Sequence, residues 1–595
     1  MESIAKNLVG GSFVVETVDS SAVFTPEDLN EEQVMFGDSV KEFIKTSILP
    51  NVNKIDKQET GLVQSLLEEA GEMGLLNAGL PEQYGGLGLD FTTECVLSEN
   101  LGASHSWGVA VAAHTGIGTL PILYFGTEDQ KTKYLPKLGT GKLKAAYCLT
   151  EPGSGSDALA AKTRADLSED GKYYVLNGQK MWITNAGFAD LFIVFAKIDG
   201  VKFTGFIVEA DSEGITLGAE EDKMGIKGSS TRQVFFNQVK VPVENVLGDI
   251  GKGHKIAFNV LNIGRFKLCA MVMGGSKASN TMAIRYAKER IQFGVPIAEF
   301  GAIQYKLAEQ AIRIFACESA TYRVAGLIRD RIDSNVASGM NPVEAKLEAA
   351  EEYSIECALL KVHGSEVLDY VVDESVQIFG GSGFSEEYPV AKAYRDARIN
   401  RIFEGTNEIN RLLSVGMLLK KALKGELDLM TPAMAVKKEL TSMPSFGSMT
   451  EQKPLQQEFK YLANLKKALI MVAGAAAQKY LDALDKEQEV MMYVSDMMLA
   501  IFGAESALLR TDKMVHKMGP EAAKQQIAAV QVLFADAIDA VQHLGRNALS
   551  AFAAGDELKM MLMGLKRFTT ADPINTVAAR RSIAQELIAN DAYCF

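Results

Sequence analysis

At 595 residues the chain is too long for one ordinary domain, and three or four are expected. Hydrophobic residues make up 47% and charged residues 23%, the balance of a soluble globular protein whose core needs no covalent staples. A formal net charge of −14 argues against non-specific nucleic-acid binding and obliges an anionic substrate to find a local basic patch.

Residues 1–26 read as a tail, loose or docked. MESIAKNLVGGSF lacks a signal-peptide core and an Arg-rich presequence. No apolar run is read as reaching the roughly 18 residues of a membrane span, so a cytoplasmic protein is expected. The helix-start signal Thr25-Pro26-Glu27-Asp28 opens a helical region over 27–145, with Phe36, Val40, Phe43 and Ile44 on one face. Over 146–253 β-branched and aromatic runs alternate with turn signals. Tyr173–Leu176 and Lys180–Thr184 flank Asn177-Gly178 and predict a hairpin. Further strands are expected at Leu191–Ala196, Gly205–Glu209 and Gln233–Val239. Helical period returns over 254–424. Pro432, Pro444 and Pro454 then mark a linker over 425–454, and 455–595 is helical again. Its methionines at 490–498 and 559–564 suit helix packing or an adaptable binding surface. The cysteines, Cys95, Cys148, Cys269, Cys317, Cys357 and Cys594, form no CxxC and read as free thiols in a reducing compartment. The six histidines are scattered, and no metal site is expected.

Five segments carry chemistry. Tyr147–Asp157, YCLTEPGSGSD, interleaves glycines with hydroxyls. Its backbone N–H groups suit an anion, and a tight loop capped by Ser156 or Asp157 is the structural alternative. Trp182-Ile183-Thr184 offers a planar face beside a hydroxyl, although a lone Trp is more often core. Arg285–Gly294 ends a helix. Its charges complement the helix dipole before a terminating Gly294, or Arg290 binds phosphate. Gln377–Phe384, QIFGGSGF, is a C-cap or a place where backbone meets ligand. In Arg398–Ile409, RINRIFEGTNEI, Glu404 stands between an apolar run and a glycine. A lone Glu is usually solvated, but desolvation here would raise its pKa toward that of a working base. Gly248–Gly253 lacks the dinucleotide-fold spacing, and no GxxxxGK[ST] loop is present.

In their order and spacing these motifs resemble the acyl-CoA dehydrogenase family over residues 27–424. The resemblance implies a mainly α fold with a central β domain: an N-terminal helical domain, a β-barrel or sandwich, and a four-helix bundle, with FAD in the cleft between them. It implies that Tyr147, Leu149, Thr150, Trp182 and Thr184 line the flavin, with Thr406 and Glu408 completing that site. Arg290, Gln292, Phe293, Gln377 and Gly381 would reach the FAD of a neighbouring subunit, hence a homodimer or a dimer of dimers. Ser156, Asn262, Arg265 and Gly405 would contact the acyl-CoA; short-chain members more often carry an acid where Asn262 stands. Glu404 would be the base that removes the α-proton as the β-hydride leaves, giving a trans-2-enoyl-CoA. Electrons would pass to an electron-transfer flavoprotein. FGAIQYKLAE and the added C-terminal helical domain are similar to the very-long-chain branch, so a long-chain fatty acyl-CoA is expected. In that branch the added domain is associated with peripheral membrane contact and dimeric assembly. An acyl-CoA oxidase and a weakly catalytic assembly protein on the same scaffold are the rival readings.

Overall fold

The structure, a computed structural model, describes residues 8–440 and 454–595. The N-terminal segment is docked. The Gly10 and Gly11 N–H groups donate to the Glu352 and Glu356 carboxylates at 2.7 Å each, and the Phe13 ring lies 4.7 Å from that of Phe502. The Thr25–Asp28 capping box closes only a 3₁₀ turn, Pro26–Asp28. The α-helix begins later, at Glu31, where the Asn30 side chain accepts from the Gln33 N–H. Its face is as the period predicts: Val40, Phe43 and Ile44 are buried with Trp107, and Phe36 packs against them.

The central sheet is eight-stranded and mostly antiparallel. Seven strands follow the order Ile215–Leu217, Thr231–Pro242, Tyr173–Thr184, Arg164–Leu167, Leu191–Ile198, Lys202–Glu209, Val246–Leu247; the eighth, Ala145–Cys148, pairs in parallel with Leu191–Ile198. The predicted hairpin at Asn177-Gly178 is not there. Tyr173–Thr184 is one continuous strand paired with Thr231–Pro242. At Asn177 the partner strand carries an extra residue, Gln238 adopts φ +56°, and the Asn177 side-chain oxygen Oδ1 accepts from the Gln238 backbone N–H and side-chain amide. Asn-Gly here makes a bulge rather than a turn. Gly178 is required because a Cβ would collide with the Thr163 side chain. The other strands run longer than read, since edge pairing extends them past their apolar centres.

Helices Gly253–Glu289, Gly301–Ala337, Ser354–Phe379 and Asn407–Leu423 pack as a bundle beside the sheet. Helix Phe91–Asn100 crosses the first of them closely. A Cβ on Gly274 would strike the Glu99 carbonyl, so small residues set the distance between these helices. The segment read as a linker is partly ordered: Met430–Leu440 is a helix, with Pro432 in its first turn, where no intrahelical donor is lost. Pro444 and the rest of 441–453 lie outside the described residues.

Residues 456–590 form five helices, Gln456–Tyr480, Gln488–Met518, Lys524–Phe552, Gly555–Phe568 and Thr576–Asn590. Buried ion pairs join them to the rest, Arg510 with Glu318 and Glu27 and Glu505 with Arg323, while Lys466, among these helices, pairs with Glu505. Met491, Met497 and Met498 are core, whereas Met560 and Met563 are exposed. All six cysteines are unpaired. One expectation is corrected. Ser106–Phe125, Gly253–Glu289, Gln488–Met518 and Lys524–Phe552 are long and apolar enough, by length and composition, to cross a membrane. Ser106–Phe125 carries no Asp, Glu, Lys or Arg, and in the other three a few isolated charges do not lower the mean below that of a span. In the first three, 61%, 67% and 72% of the apolar window is buried inside the protein, which accounts for its composition; in the fourth the share is 39%.

Candidate active site

The chain leaves the short 3₁₀ turn Arg398–Arg401 and reverses at Glu404 (φ +59°) and Gly405 (φ +81°) before Thr406 caps helix Asn407–Leu423. A glutamate in the left-handed region costs about 1–2 kcal/mol, so surrounding contacts must hold it. They do. The Asn410 amide donates to the Gly405 and Thr406 carbonyls at 2.8 and 3.0 Å. Lys361 Nζ donates to the Gly405 carbonyl at 2.7 Å and to Asn407 Oδ1 at 2.8 Å. Arg265 Nε donates to the Glu404 carbonyl at 3.3 Å, and its Nη1 to Asn262 Oδ1 at 3.0 Å.

The turn projects the Glu404 carboxylate against helix Gly253–Glu289 at Gly264, where a Cβ would stand 2.9 Å from Oε2. Oε2 is buried and has no hydrogen-bond partner among the described residues. Burial raises this carboxyl to about 7, against the opposing pull of Arg265 and Lys361. Burial also brings Lys361 down to about 7, with Glu404 opposing. The Tyr147 hydroxyl is likewise buried and unpartnered; burial, then the Glu404 charge, pushes its pKa well up. Tyr147 therefore faces the same space from strand Ala145–Cys148. Of the residues assigned to substrate by resemblance, Asn262, Arg265 and Gly405 converge here, while Ser156 lies exposed in the 149–157 loop. Asp157 caps the following 3₁₀ turn without a side-chain bond.

Beyond Tyr147 the chain enters that loop, which is fixed from beneath. Lys180, fully buried, donates to the Leu149 carbonyl at 3.1 Å and pairs with Glu151 at 2.7 Å. Glu151 also accepts from the Lys162 and Thr163 N–H groups and the Thr163 hydroxyl. The Met181 N–H donates to the Thr150 carbonyl at 3.0 Å. Immediately after it a second bulge sets Met181 and Trp182 opposite Gln233, and Trp182 takes φ +59°. The indole is 54% exposed and is not core, the commoner reading of a lone Trp. Leu149 and Thr150 are thus tied by their carbonyls to the strand that carries Trp182 and Thr184.

A third group is remote. Helix Gly253–Glu289 ends before Arg290, and Gly294 does not terminate it. Phe293 and Gly294, both at positive φ, form the two-residue turn of a hairpin pairing Ile291–Gln292 with Val295–Pro296. Arg290, Gln292 and Phe293 are exposed there, Phe293 at 93%. Gln377 and Gly381 are exposed at the end of helix Ser354–Phe379, which stacks Phe379 on Tyr286 with centroids 3.8 Å apart. Gly380, at φ +59°, is the C-cap of that helix. Arg265 and Arg290 lie at the two ends of a 25-residue helical span of about 38 Å. Thr406 caps helix Asn407–Leu423 just after the Glu404–Gly405 reversal, and Glu408 lies exposed in its first turn.

The sequence reading missed Lys361, Lys180 and Glu151. A signal existed for the first. Lys361 interrupts the apolar run Ala358–Val362, and a charge inside a buried stripe needs a partner.

Family models described as acyl-CoA dehydrogenase N-terminal, middle and C-terminal domains match residues 30–142, 146–239 and 251–417; a further C-terminal domain model matches 464–567. A probable acyl-CoA dehydrogenase of Bacillus subtilis is 46% identical over 588 residues, 98% of each chain. The human mitochondrial very long-chain specific acyl-CoA dehydrogenase is 41% identical over 426 residues, 69% of this chain and 61% of that one. The crystal structure of an acyl-CoA dehydrogenase complexed with FAD from Bacillus anthracis superposes with a TM-score of 0.96 at 46% identity, covering 99% of this chain and all of that one.

Proposed function

The chain belongs to the acyl-CoA dehydrogenase family, and on that premise we propose that it oxidises long-chain fatty acyl-CoA to trans-2-enoyl-CoA with FAD. Electrons then leave to an electron-transfer flavoprotein. One observation carries the reading: one oxygen of the Glu404 carboxylate, Oε2, is buried and without a hydrogen-bond partner among the described residues, the carboxyl is raised to about 7, and the residue is held on a strained turn against Gly264. That is the state a general base needs near neutral pH.

The residues fit a flavin. The half-exposed indole of Trp182, locked by a bulge beside the rigid Leu149–Thr150 backbone, is a flat wall with an open face. Gly381 leaves its backbone open to close approach, with nothing within 4 Å of a Cβ there. When bound, FAD supplies the acceptor of the β-hydride. Glu404 Oε2 takes the α-proton, and Gly264 leaves room for the reacting carbons beside it. The Glu404 N–H polarises the thioester oxygen as enolate charge develops, a contribution of about 3–4 kcal/mol for such a donor. Arg265 and Asn262 hold the turn while the proton moves. Similarity to the human very long-chain enzyme supports the long chain.

Arg290 lies about 38 Å along helix Gly253–Glu289 from Arg265 at the Glu404 turn, with Gln292 and Phe293 beyond it and the 377–381 segment beside that far end. They are read as serving the FAD of a second subunit. Light scattering on the yellow protein is expected to give at least a dimer; a monomer that keeps its flavin would refute this placement.

The principal test is an anaerobic titration of the flavin band with acyl-CoAs of increasing length. Bleaching, strongest for long chains and reversed by an electron-transfer flavoprotein, is the expected result. Fast peroxide formation without that acceptor would instead favour an oxidase. A flavin that no acyl-CoA bleaches would favour an assembly role.

A further inference from the structure

We propose that the C-terminal helical region positions the catalytic turn, through a chain of polar contacts that starts at Asp496 and ends on the Gly405 carbonyl. The inference rests on the reading of Glu404 as the base.

The contacts are continuous. Asp496, on helix Gln488–Met518, accepts from Arg411 Nε at 2.6 Å. Arg411 also forks onto Glu366, at 2.9 and 2.8 Å. Glu366 Oε1 accepts from the Asn407 amide at 3.0 Å. Asn407 Oδ1 accepts from Lys361 at 2.8 Å, and Lys361 donates onward to the Gly405 carbonyl at 2.7 Å. Carboxylate, guanidinium, carboxylate, amide and ammonium follow one another, so each group has one consistent role. The amide can take only one orientation, oxygen to the lysine and nitrogen to the carboxylate.

The inner end of the chain is buried, Lys361 fully and Asn407 nearly so. Burial makes a lost partner costly there and favours one geometry. The chain also ends on the carbonyl of the residue that follows the base. Glu404 and Gly405 are both left-handed, and Lys361 holds this turn from the Gly405 side while the Glu404 carboxylate rests on Gly264. The C-terminal region grips the helix that begins at this turn a second time, where the Ser414 and Ser495 hydroxyls meet at 3.0 Å.

The charged and titratable groups around the base are few. Glu404 faces Arg265 from helix Gly253–Glu289, Lys361 from helix Ser354–Phe379 and Tyr147 from the sheet. Lys361 in turn senses Arg265, Glu408 and Glu366. Freeing Asp496 from Arg411 draws the guanidinium wholly onto Glu366, loosens Asn407 and lets the ammonium drift from the turn. Glu404 then loses cationic support, and its pKa rises.

The test uses the full-length, FAD-loaded protein with Asp496→Asn. Asp496 is partly exposed, so the fold is expected to tolerate the change. Single-turnover flavin reduction by acyl-CoA is expected to slow about fivefold, within the range carried by such coupling networks. The acid limb of its pH profile should move upward, with FAD content and KM unchanged and partial rescue by Asp496→Glu. Asp496→Asn added to Glu366→Gln should cost nothing more, because both break one chain. Should Asp496→Asn not yield folded protein, Arg411→Lys, which keeps the charge and loses the fork, is read in the same way. A reduction rate and acid limb identical to wild type would overturn the proposal, as would effects of the two changes that multiply. Glu404→Gln separates the two claims. If it still reduces flavin, the base is misassigned; if it does not and Asp496→Asn is silent, only the positioning role fails.

Discussion

Replacing Glu404 with glutamine is expected to abolish flavin reduction by acyl-CoA, by at least about 10²–10⁴-fold, while FAD stays bound. Glutamine has the same shape and can rest against Gly264 as the carboxylate does, but it cannot accept the α-proton. The wild-type reaction should carry the signature of the same group. With the carboxyl at about 7, reduction rises with pH through that value and levels off above it. Stability runs the other way. Between its ordinary value of 4.5 and about 7 the folded protein still holds a proton that the unfolded chain has lost. The contribution of this group is therefore full below the lower value and lost as pH rises through the upper one. Above neutrality the fold carries a buried, unpaired charge that glutamine removes. The gain in melting temperature of Glu404→Gln over wild type should thus be larger near pH 8 (about one unit above the folded pKa) than near pH 5 (about two units below it). Anaerobic stopped-flow and thermal melts at the two pH values check this. Surviving reduction in the variant, or a stability gap independent of pH, would reject the assignment of Glu404.

What the sequence made legible depended on whether a residue's neighbours in the chain are also its neighbours in space. Glu404 could be singled out because Ile402, Phe403 and Gly405 announce a desolvated turn locally. The bundle helices could be read because their faces repeat along the chain. Trp182 could not be placed by the same logic. Its exposure comes from a bulge, and a bulge is set by register against Gln233, far away in sequence. Asn177-Gly178 failed for a related reason. The pair has the intrinsic preference for a two-residue hairpin turn, but packing of Gly178 on Thr163 turned that preference into a bulge. The real two-residue hairpin fell to Phe293-Gly294, where a phenylalanine at positive φ gives no warning. Lys180 and Glu151 stayed hidden because their partners are contributed by other elements, whereas Lys361, set inside an apolar run, signals that it needs a partner without saying which.

Substituting Lys180 with methionine is expected to destabilise the protein by about 3–5 kcal/mol, the usual cost of breaking a buried pair by removing one member. The side chains of Lys180 and Glu151 are 0% and 6% exposed, so water cannot solvate a stranded Glu151. Burial alone would raise this carboxyl, but Lys180 and the Lys162 and Thr163 donors together hold it below its ordinary value. Without the ammonium the carboxylate must either stay charged among neutral donors or take up a proton, and both weaken the fold. The damage should reach the site. The Leu149 carbonyl loses its donor, and the Thr150–Met181 hydrogen bond, which ties the loop to the bulge under Trp182, loses the anchor beside it. Flavin should therefore dissociate faster from the variant. Urea unfolding of the protein, with flavin fluorescence as a second probe, measures both effects. Adding Glu151→Gln to Lys180→Met separates charge from packing. The neutral amide still accepts from the Lys162 and Thr163 groups, so the double variant should regain much of the stability lost by the single one. A single variant that costs less than about 1 kcal/mol would mean that the pair is solvated in solution, and the rigid floor inferred beneath the flavin wall would have to be sought elsewhere.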